Sequence, residues 1–334
     1  MLFSVIIPVF NGEKYLLNSL NSVASQTYSD YEIVIVDDGS TDKTGRIADS
    51  FADARDDTKV IHHKNVGPLL ARRIGLQKSS GKYAVFLDAD DCMHPFELQN
   101  VAEIIARSNA DIVSFGYSRC PDFSTFDSPF PLTPGFYGGT HFAEVKKHLC
   151  LGRFNEIWCK VIKISCFDLS SDYSMYSDIK YGEDLLQLLP VFDNACSLYV
   201  SDKTLYYYRA NDAANTAQYR ISQLSDIRRV CDRLLYYAMR WGTPFYRAAC
   251  IGEVMQYIYV LRIANSSLSY RFFTEAFYSI RENMQESECI ARAARCRLRF
   301  DNAFILFCIK HNFCTFSFLI LKVSEFARRM KKLF

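Results

Sequence analysis

Five short apolar runs occupy the first 115 residues, each separated from the next by a segment of helical periodicity or a turn. They cover residues 4–10, 31–36, 59–61, 83–87 and 110–115. Continuous apolar runs of this length predict buried strands. Residues 13–27, 42–51 and 67–77 repeat their apolar positions at helical spacing, and Pro95 suits the first turn of a further helix. Strand alternating with helix over short connections leaves few architectures, and a parallel, doubly wound α/β sheet is the first of them. Ligands of such sheets bind outside the carboxyl ends of the strands. Asn11, Asp37, Asp38 and the run Asp88-Ala89-Asp90-Asp91 all fall at those ends.

Two carboxylates at i and i+2, as in Asp88 and Asp90, repel unless a cation lies between them or one takes up a proton. Hard oxygen ligands of this kind suit Mg²⁺ or Mn²⁺ bridged to a diphosphate. The bland reading is turn and cap chemistry, and Asp91 is assigned mainly to capping the helix near His94 and Pro95. At the second strand tip, Gly39 to Asp42 are explained as a tight turn and a helix cap. The two adjacent acids Asp37 and Asp38 are not, and a carboxylate there can accept the imide N–H of a uracil or ribose hydroxyls. After the third strand, Arg72 or Arg73 is a candidate phosphate partner.

Composition narrows the class. The chain has 334 residues, 49% of them hydrophobic, which suffices for a catalytic domain plus an appendage. The net charge of +2 conceals an asymmetry. From Cys289 onward there are ten Lys/Arg against two Asp/Glu, and 29 against 35 in the residues before it. Twelve cysteines without paired spacing argue against a disulfide framework or zinc site. No signal peptide is visible, and charged and polar residues interrupt the longest apolar stretch, so a cytoplasmic chain is expected. No Gly-x-Gly-x-x-Gly follows the first strand, which excludes a dinucleotide-binding oxidoreductase. No nucleic-acid motif accompanies the basic end.

The residues Ser4-Val5-Ile6-Ile7-Pro8-Val9-Phe10-Asn11, VDDGSTD at 36–42, NVG with ARRIG at 65–75 and LDADD at 87–91 resemble the family 2 glycosyltransferases of the GT-A fold. Trp158-Cys159-Lys160, Gly182-Glu183-Asp184 and Tyr206-Tyr207-Tyr208-Arg209 extend the likeness to about residue 215, with Cys159 replacing the usual Asn. The resemblance implies a GT-A domain over 1–218, with a nucleotide-binding half (1–115) and an acceptor half (116–218). A helical region with a basic amphipathic tail would follow over 219–334. It implies that Asp38 meets the uracil, that Asn65 and Arg72 meet the nucleotide, and that Pro8 lines its pocket. Asp88 would contact ribose or metal, Asp90 would bind Mn²⁺ or Mg²⁺, and Asp184 would be the general base with Glu183 beside it. Asn11, Asp37, Ala89 and Lys160 complete the expected donor-binding set, Lys160 adding charge near the leaving group. Trp158 and Tyr206 to Tyr208 are candidates for sugar stacking, although core packing is the default for aromatics.

The expected activity is inverting transfer from a UDP-sugar to a hydroxyl of a glycan or lipid-linked saccharide, in bacterial surface-polysaccharide synthesis. Residues 304–334 would give peripheral contact with an anionic membrane, or a homodimer contact. Two alternatives are a sugar-nucleotidyltransferase and a non-catalytic sugar-nucleotide-binding module.

Overall fold

The computed structural model describes residues 1–127, 132–209, 219–285, 289, 293 and 298–330. The chain divides into two compact units. The first comprises Met1–Lys146, Arg153–Ile179 and Glu183–Ala210, and the second Lys147–Gly152, Lys180–Gly182 and Asn211–Phe334. The cut expected at 218 falls in residues 210–218, which lie outside the described residues.

The first unit is an α/β sheet flanked by helices. Its first strands are β1 (Phe3–Val9), β2 (Tyr31–Asp37), β3 (Thr58–His62) and β4 (Tyr83–Phe86), with α1 (Leu16–Ala24), α2 (Thr44–Asp53) and α3 (Pro68–Lys78) between them. They pair in parallel in the order β3-β2-β1-β4. Val5, Ile6, Val34, Ile35, Val85 and Phe86 have no exposed surface, because helices cover both faces. Burying each such side chain stabilises the fold by about 1.5–3 kcal/mol. Pro8 lies beyond the last residue pairing β1 with β4, so its missing N–H costs little there.

Next come β5 (Cys92–Met93), α4 (Glu97–Ser108), β6 (Ile112–Ser118), β7 (Gly135–Gly138), α5 (Phe142–Cys150), β8 (Lys160–Lys163), α6 (Glu183–Asn194) and β9 (Ser197–Tyr207). Beyond β4 the sheet becomes mixed. β8 inserts antiparallel between β4 and β6, whereas β9 runs parallel to β6. The fold class expected from the sequence holds, with the parallel run ending at β4.

Strand and helix borders position the site. Asp37 is the last residue of β2, and Asp88 follows β4 by two residues. Gly67 adopts φ 84° before Pro68 opens α3. A Cβ at Gly75 would run into Ile6, so this glycine lets α3 pack close on β1, one turn after Arg72.

The second unit is helical: α7 (Ser222–Trp241), α8 (Thr243–Ser267), α9 (Tyr270–Gln285), α10 (Phe300–Lys310) and α11 (Cys314–Met330). Its core includes Leu224, Ile258, Phe273, Phe277, Ile305 and Leu321. Among the described residues, no helix is long and apolar enough to cross a membrane.

Candidate functional site

Three strand ends of the first unit meet through their turns. Asn11 sits in the left-handed region at φ 51°, which asparagine tolerates. Its Oδ1 accepts the Thr41 N–H at 2.8 Å, and its own N–H donates to Ser40 Oγ at 2.9 Å. Asp37 accepts the Ser40 N–H at 3.0 Å and lies 2.9 Å from His62 Nδ1. Asp38 accepts the N–H groups of Val66 (2.8 Å) and Gly67 (2.9 Å). A Cβ at Gly39 would lie 2.8 Å from the Asn65 nitrogen, so glycine is what lets these two loops touch. Asn11, Asp38 and Asn65, expected from the sequence in one donor-binding set, therefore sit in one set of interlocked loops. Asn65 and Asn11 are exposed, and Pro8 is half-buried.

The second cluster is electrostatic. Arg72, on α3, is buried, and its two terminal nitrogens point at two different acids. Nη1 donates to Asp184 at 2.9 Å, and Nη2 to Asp88 at 2.9 Å. Glu183 is 3.8 Å from Nη1. The second oxygen of Asp184 accepts the Ile157 N–H at 3.2 Å. Gly182, at φ 84°, is the left-handed residue from which α6 starts with these two acids. Burial alone would lower the Arg72 pKa, but Asp184, Asp88 and Glu183 outweigh it and raise it. One cation thus faces three carboxylates, and the mismatch appears in the acids. Burial, then Asp184, pushes Glu183 up, and burial raises Asp184 against the pull of Arg72. Arg73 points elsewhere: it donates to the Ser171 carbonyl, and its guanidinium lies 3.9 Å over the Tyr173 ring.

A third group, largely missed from sequence, holds the β4 turn. Tyr206, fully buried on β9, donates its hydroxyl to Asp91 Oδ2 at 2.8 Å and accepts the Asp88 N–H at 3.2 Å. The Arg209 N–H donates to Asp91 Oδ1 at 2.7 Å, and its side chain to the Asp90 carbonyl at 2.8 Å. This corrects two expectations. Asp91 does not cap the next helix, because its oxygens are spent on Tyr206 and Arg209, and α4 starts only at Glu97. Tyr206 presents no face to a sugar, because it is enclosed with Trp158 at 4.7 Å. Tyr206 on β9 and Tyr208 just past its end lie on one side at the strand period of two, and Trp158 packs against both. That alternation was the available signal. Burial, then Asp88, drives the Asp91 carboxyl up to about 8.

Lys160 is a further correction. It is fully buried, its ammonium bonds the Glu156 carbonyl, and it lies 4.3 Å over the Phe154 ring. Its charge acts on Asp184, which it helps keep ionised. A fully buried lysine ammonium needs such a carbonyl, since burial without one is costly.

The donor set at the β4 tip suits a divalent cation. Among the described residues, no three His, Cys, Asp or Glu lie close enough to hold a metal by themselves. Asp88 and Asp90 supply two hard carboxylates instead, and Mg²⁺-type sites are commonly built from one or two carboxylates plus substrate phosphates.

Residues 4–162 match the model of the glycosyl transferase family 2. The uncharacterized glycosyltransferase EpsJ of Bacillus subtilis is 31% identical over 212 residues, 63% of this chain and 61% of that protein. Glycosyltransferase GlyG of Streptococcus pneumoniae is 33% identical over 117 residues, 35% of this chain and 39% of that protein. The chain thus spans about three fifths or less of the length of these curated relatives. Among solved structures, S. aureus TarS 1-349 in complex with UDP-GlcNAc has a TM-score of 0.69 at 18% identity, covering 98% of this chain and 92% of that one. The Pyrobaculum calidifontis mannosyltransferase PcManGT, in complex with GDP-Man and Mn²⁺, has a TM-score of 0.51 at 15% identity, covering 96% and 86%. At those identities the likeness speaks for the fold. With the sequence match over the segment that carries the strand-end acids, it marks residues 4–162 as a glycosyl transferase family 2 domain on a GT-A fold.

Proposed function

We propose that this chain transfers a hexosyl or N-acetylhexosaminyl group from a UDP-sugar to a hydroxyl of a glycan or lipid-linked saccharide, inverting the anomeric carbon. The setting is bacterial surface-polysaccharide assembly, with the acceptor presented at the inner face of the cell membrane. One observation carries the reading: a single buried guanidinium holds Asp88 on one arm and Asp184, 112 residues beyond Arg72, on the other. Inverting transfer needs a carboxylate on the donor side and a second, separate carboxylate near the acceptor, and this arrangement supplies both.

In this reading Asp38 and Asn65 hold the nucleoside, and the interlocked turns around Asn11 and Asp37 keep that pocket in shape. Asp88 and Asp90 would hold Mn²⁺ or Mg²⁺, which would supply positive charge against the departing diphosphate. Asp184 takes the proton from the acceptor hydroxyl as its oxygen attacks the anomeric carbon and the bond to the diphosphate breaks. Glu183 stays beside Asp184, and its charge raises the proton affinity of that carboxylate, which helps Asp184 take the proton. Arg72 fixes the carboxylate in place. The UDP and UDP-GlcNAc complexes of TarS support a UDP-sugar, and the Mn²⁺ complex of PcManGT supports the cation.

The test is UDP release from a panel of UDP-sugars, with Mn²⁺ or with EDTA and no acceptor. Metal-dependent release from one sugar is the expected result. Neither release nor binding of any UDP-sugar would overturn the nucleotide assignment. Binding without metal dependence would overturn the role of Asp88 and Asp90.

A further inference from the structure

The second unit carries a feature that sugar transfer does not need. Rings run in an unbroken chain across α10 and α11: Phe300 to Phe304 at 6.5 Å, Phe304 to Phe307 at 6.3 Å, Phe307 to Phe313 at 5.8 Å, and Phe313 to Phe316 at 6.0 Å. These rings are not core. Phe300 is 85% exposed and Phe316 61%, and the ridge continues along α11 through the exposed Leu319 and Val323. Phe316, Leu319 and Val323 recur at i, i+3 and i+7, one outward stripe of the helix. The core side of α11 is a different stripe, with Cys314, Ser317 and Leu321 buried. A surface helix is normally polar opposite its core stripe. This one is apolar on both sides, and a contiguous exposed patch of this kind marks a protein or membrane contact.

Charge decides between occupants. The 46 residues from Cys289 carry ten Lys/Arg against two Asp/Glu. Exposed Lys310 ends α10, and Arg299, just before α10, is 83% exposed and ion-paired with Asp301 at 3.2 Å. Arg328, Arg329, Lys331 and Lys332 follow the ridge in sequence, and their side chains lie outside the described residues. A second copy of this chain would bring a segment of the same net positive charge against this one, which is repulsive. An anionic bilayer matches both features at once: rings settle at the boundary between headgroups and acyl chains, and basic residues meet the headgroups.

We propose that the aromatic ridge of α10 and α11 is a docking surface for an anionic lipid bilayer, lying in the interface and not crossing it. The inference rests on the proposed function only for the membrane location of the acceptor. Binding is therefore read without donor or acceptor, so its failure leaves glycosyl transfer standing.

The experiment floats the full chain with vesicles of phosphatidylcholine alone or mixed equally with phosphatidylglycerol. Recovery with the anionic vesicles should exceed that with the neutral ones by about tenfold or more, and fall as salt screens the charge. The double variant Phe316→Ser/Leu319→Ser should lose about tenfold of that binding. These side chains are exposed, so its melting temperature and its acceptor-free donor hydrolysis should match the parent. A second variant, Phe307→Ser, should weaken binding in the same way. No binding to anionic vesicles overturns the proposal. Undiminished binding by both variants overturns it in favour of the basic residues alone. A dimer in sedimentation that either variant dissolves overturns it in favour of a second copy.

Discussion

At the tip of β2, Asp37 and Asp38 accept hydrogen bonds from the Ser40, Val66 and Gly67 N–H groups, and Asp37 lies beside a histidine. At the tip of β4, Asp88 leans on a guanidinium that it shares with two other acids, and Asp91 is pushed up to about 8 by burial and then by Asp88. In sequence the two tips look alike: an apolar strand, then adjacent acids. Their electrostatics differ. Amides and His62 hold Asp37 below the usual carboxylate range despite its burial, while burial raises Asp38 beside it in spite of its two amide donors. At the β4 tip burial, and then the neighbouring Asp88, drives Asp91 upward, the opposite way to Asp37. What reaches an acidic turn from elsewhere in the chain thus sets its electrostatics, and the turn holding the carboxyl driven furthest from its ordinary range is the better candidate for chemistry.

The strongest way to break this contrast is Asp184→Asn. Loss of a general base should cost about 10²–10⁴-fold in transfer, with UDP-sugar affinity nearly unchanged. A loss confined to affinity would move Asp184 from proton transfer to donor binding. The same base gives a pH dependence: burial raises the Asp184 pKa, so transfer should fall on acidification at a pH above the ordinary carboxylate range. An acid limb within that ordinary range would contradict the crowded-acid description.

Arg72→Met comes next. Removing one partner of a buried charge cluster costs about 3–5 kcal/mol, read as a lower denaturation midpoint. The loss should be smaller in acid, where the stranded carboxylates protonate. An unchanged midpoint at neutral pH would mean that Arg72 is not their counter-ion. Tyr206→Phe is smaller, about 1–3 kcal/mol, because it leaves Asp91 and the Asp88 N–H each short of a partner. It should also slow acceptor-free donor hydrolysis, since the Asp88 turn loosens. A stability loss with hydrolysis intact would confine Tyr206 to packing.

The smallest effect belongs to the β2 side. Hydrogen bonds to Asp37 and then Asp49 raise the pKa of His62 above its ordinary value. Its contribution is complete below about pH 6.5 and is lost as pH rises through the raised folded value. The melting-temperature gap between the parent and His62→Ala should therefore narrow from about pH 6 to about pH 8. A gap that widened would reverse the assignment.

Much of this was legible because it is local. Strand runs, the glycines at 39 and 67, and the acids at both tips follow from neighbours in sequence. What was not legible depends on partners far away. Arg72 and Arg73 are chemically identical neighbours, and only the packing of α3 through Gly75 sends one to the acids and the other to Tyr173. Asp91 looked like a cap because the hydroxyl that claims it lies 115 residues later. Lys160 looked available because nothing adjacent announces that β8 inserts between β4 and β6 and buries it. The insertion itself, antiparallel in a run of parallel strands, needs pairing information that periodicity does not hold.

The most direct test of the contrast is UDP affinity measured by calorimetry with Mn²⁺ and with EDTA, for the parent, Asp90→Asn and Asp38→Asn. The account predicts that Mn²⁺ strengthens binding by the parent and that Asp90→Asn abolishes this difference. Asp38→Asn should weaken binding in both conditions and keep the difference. If Asp90→Asn kept the Mn²⁺ effect, or Asp38→Asn removed it, the assignment of cation chemistry to the β4 tip would be wrong.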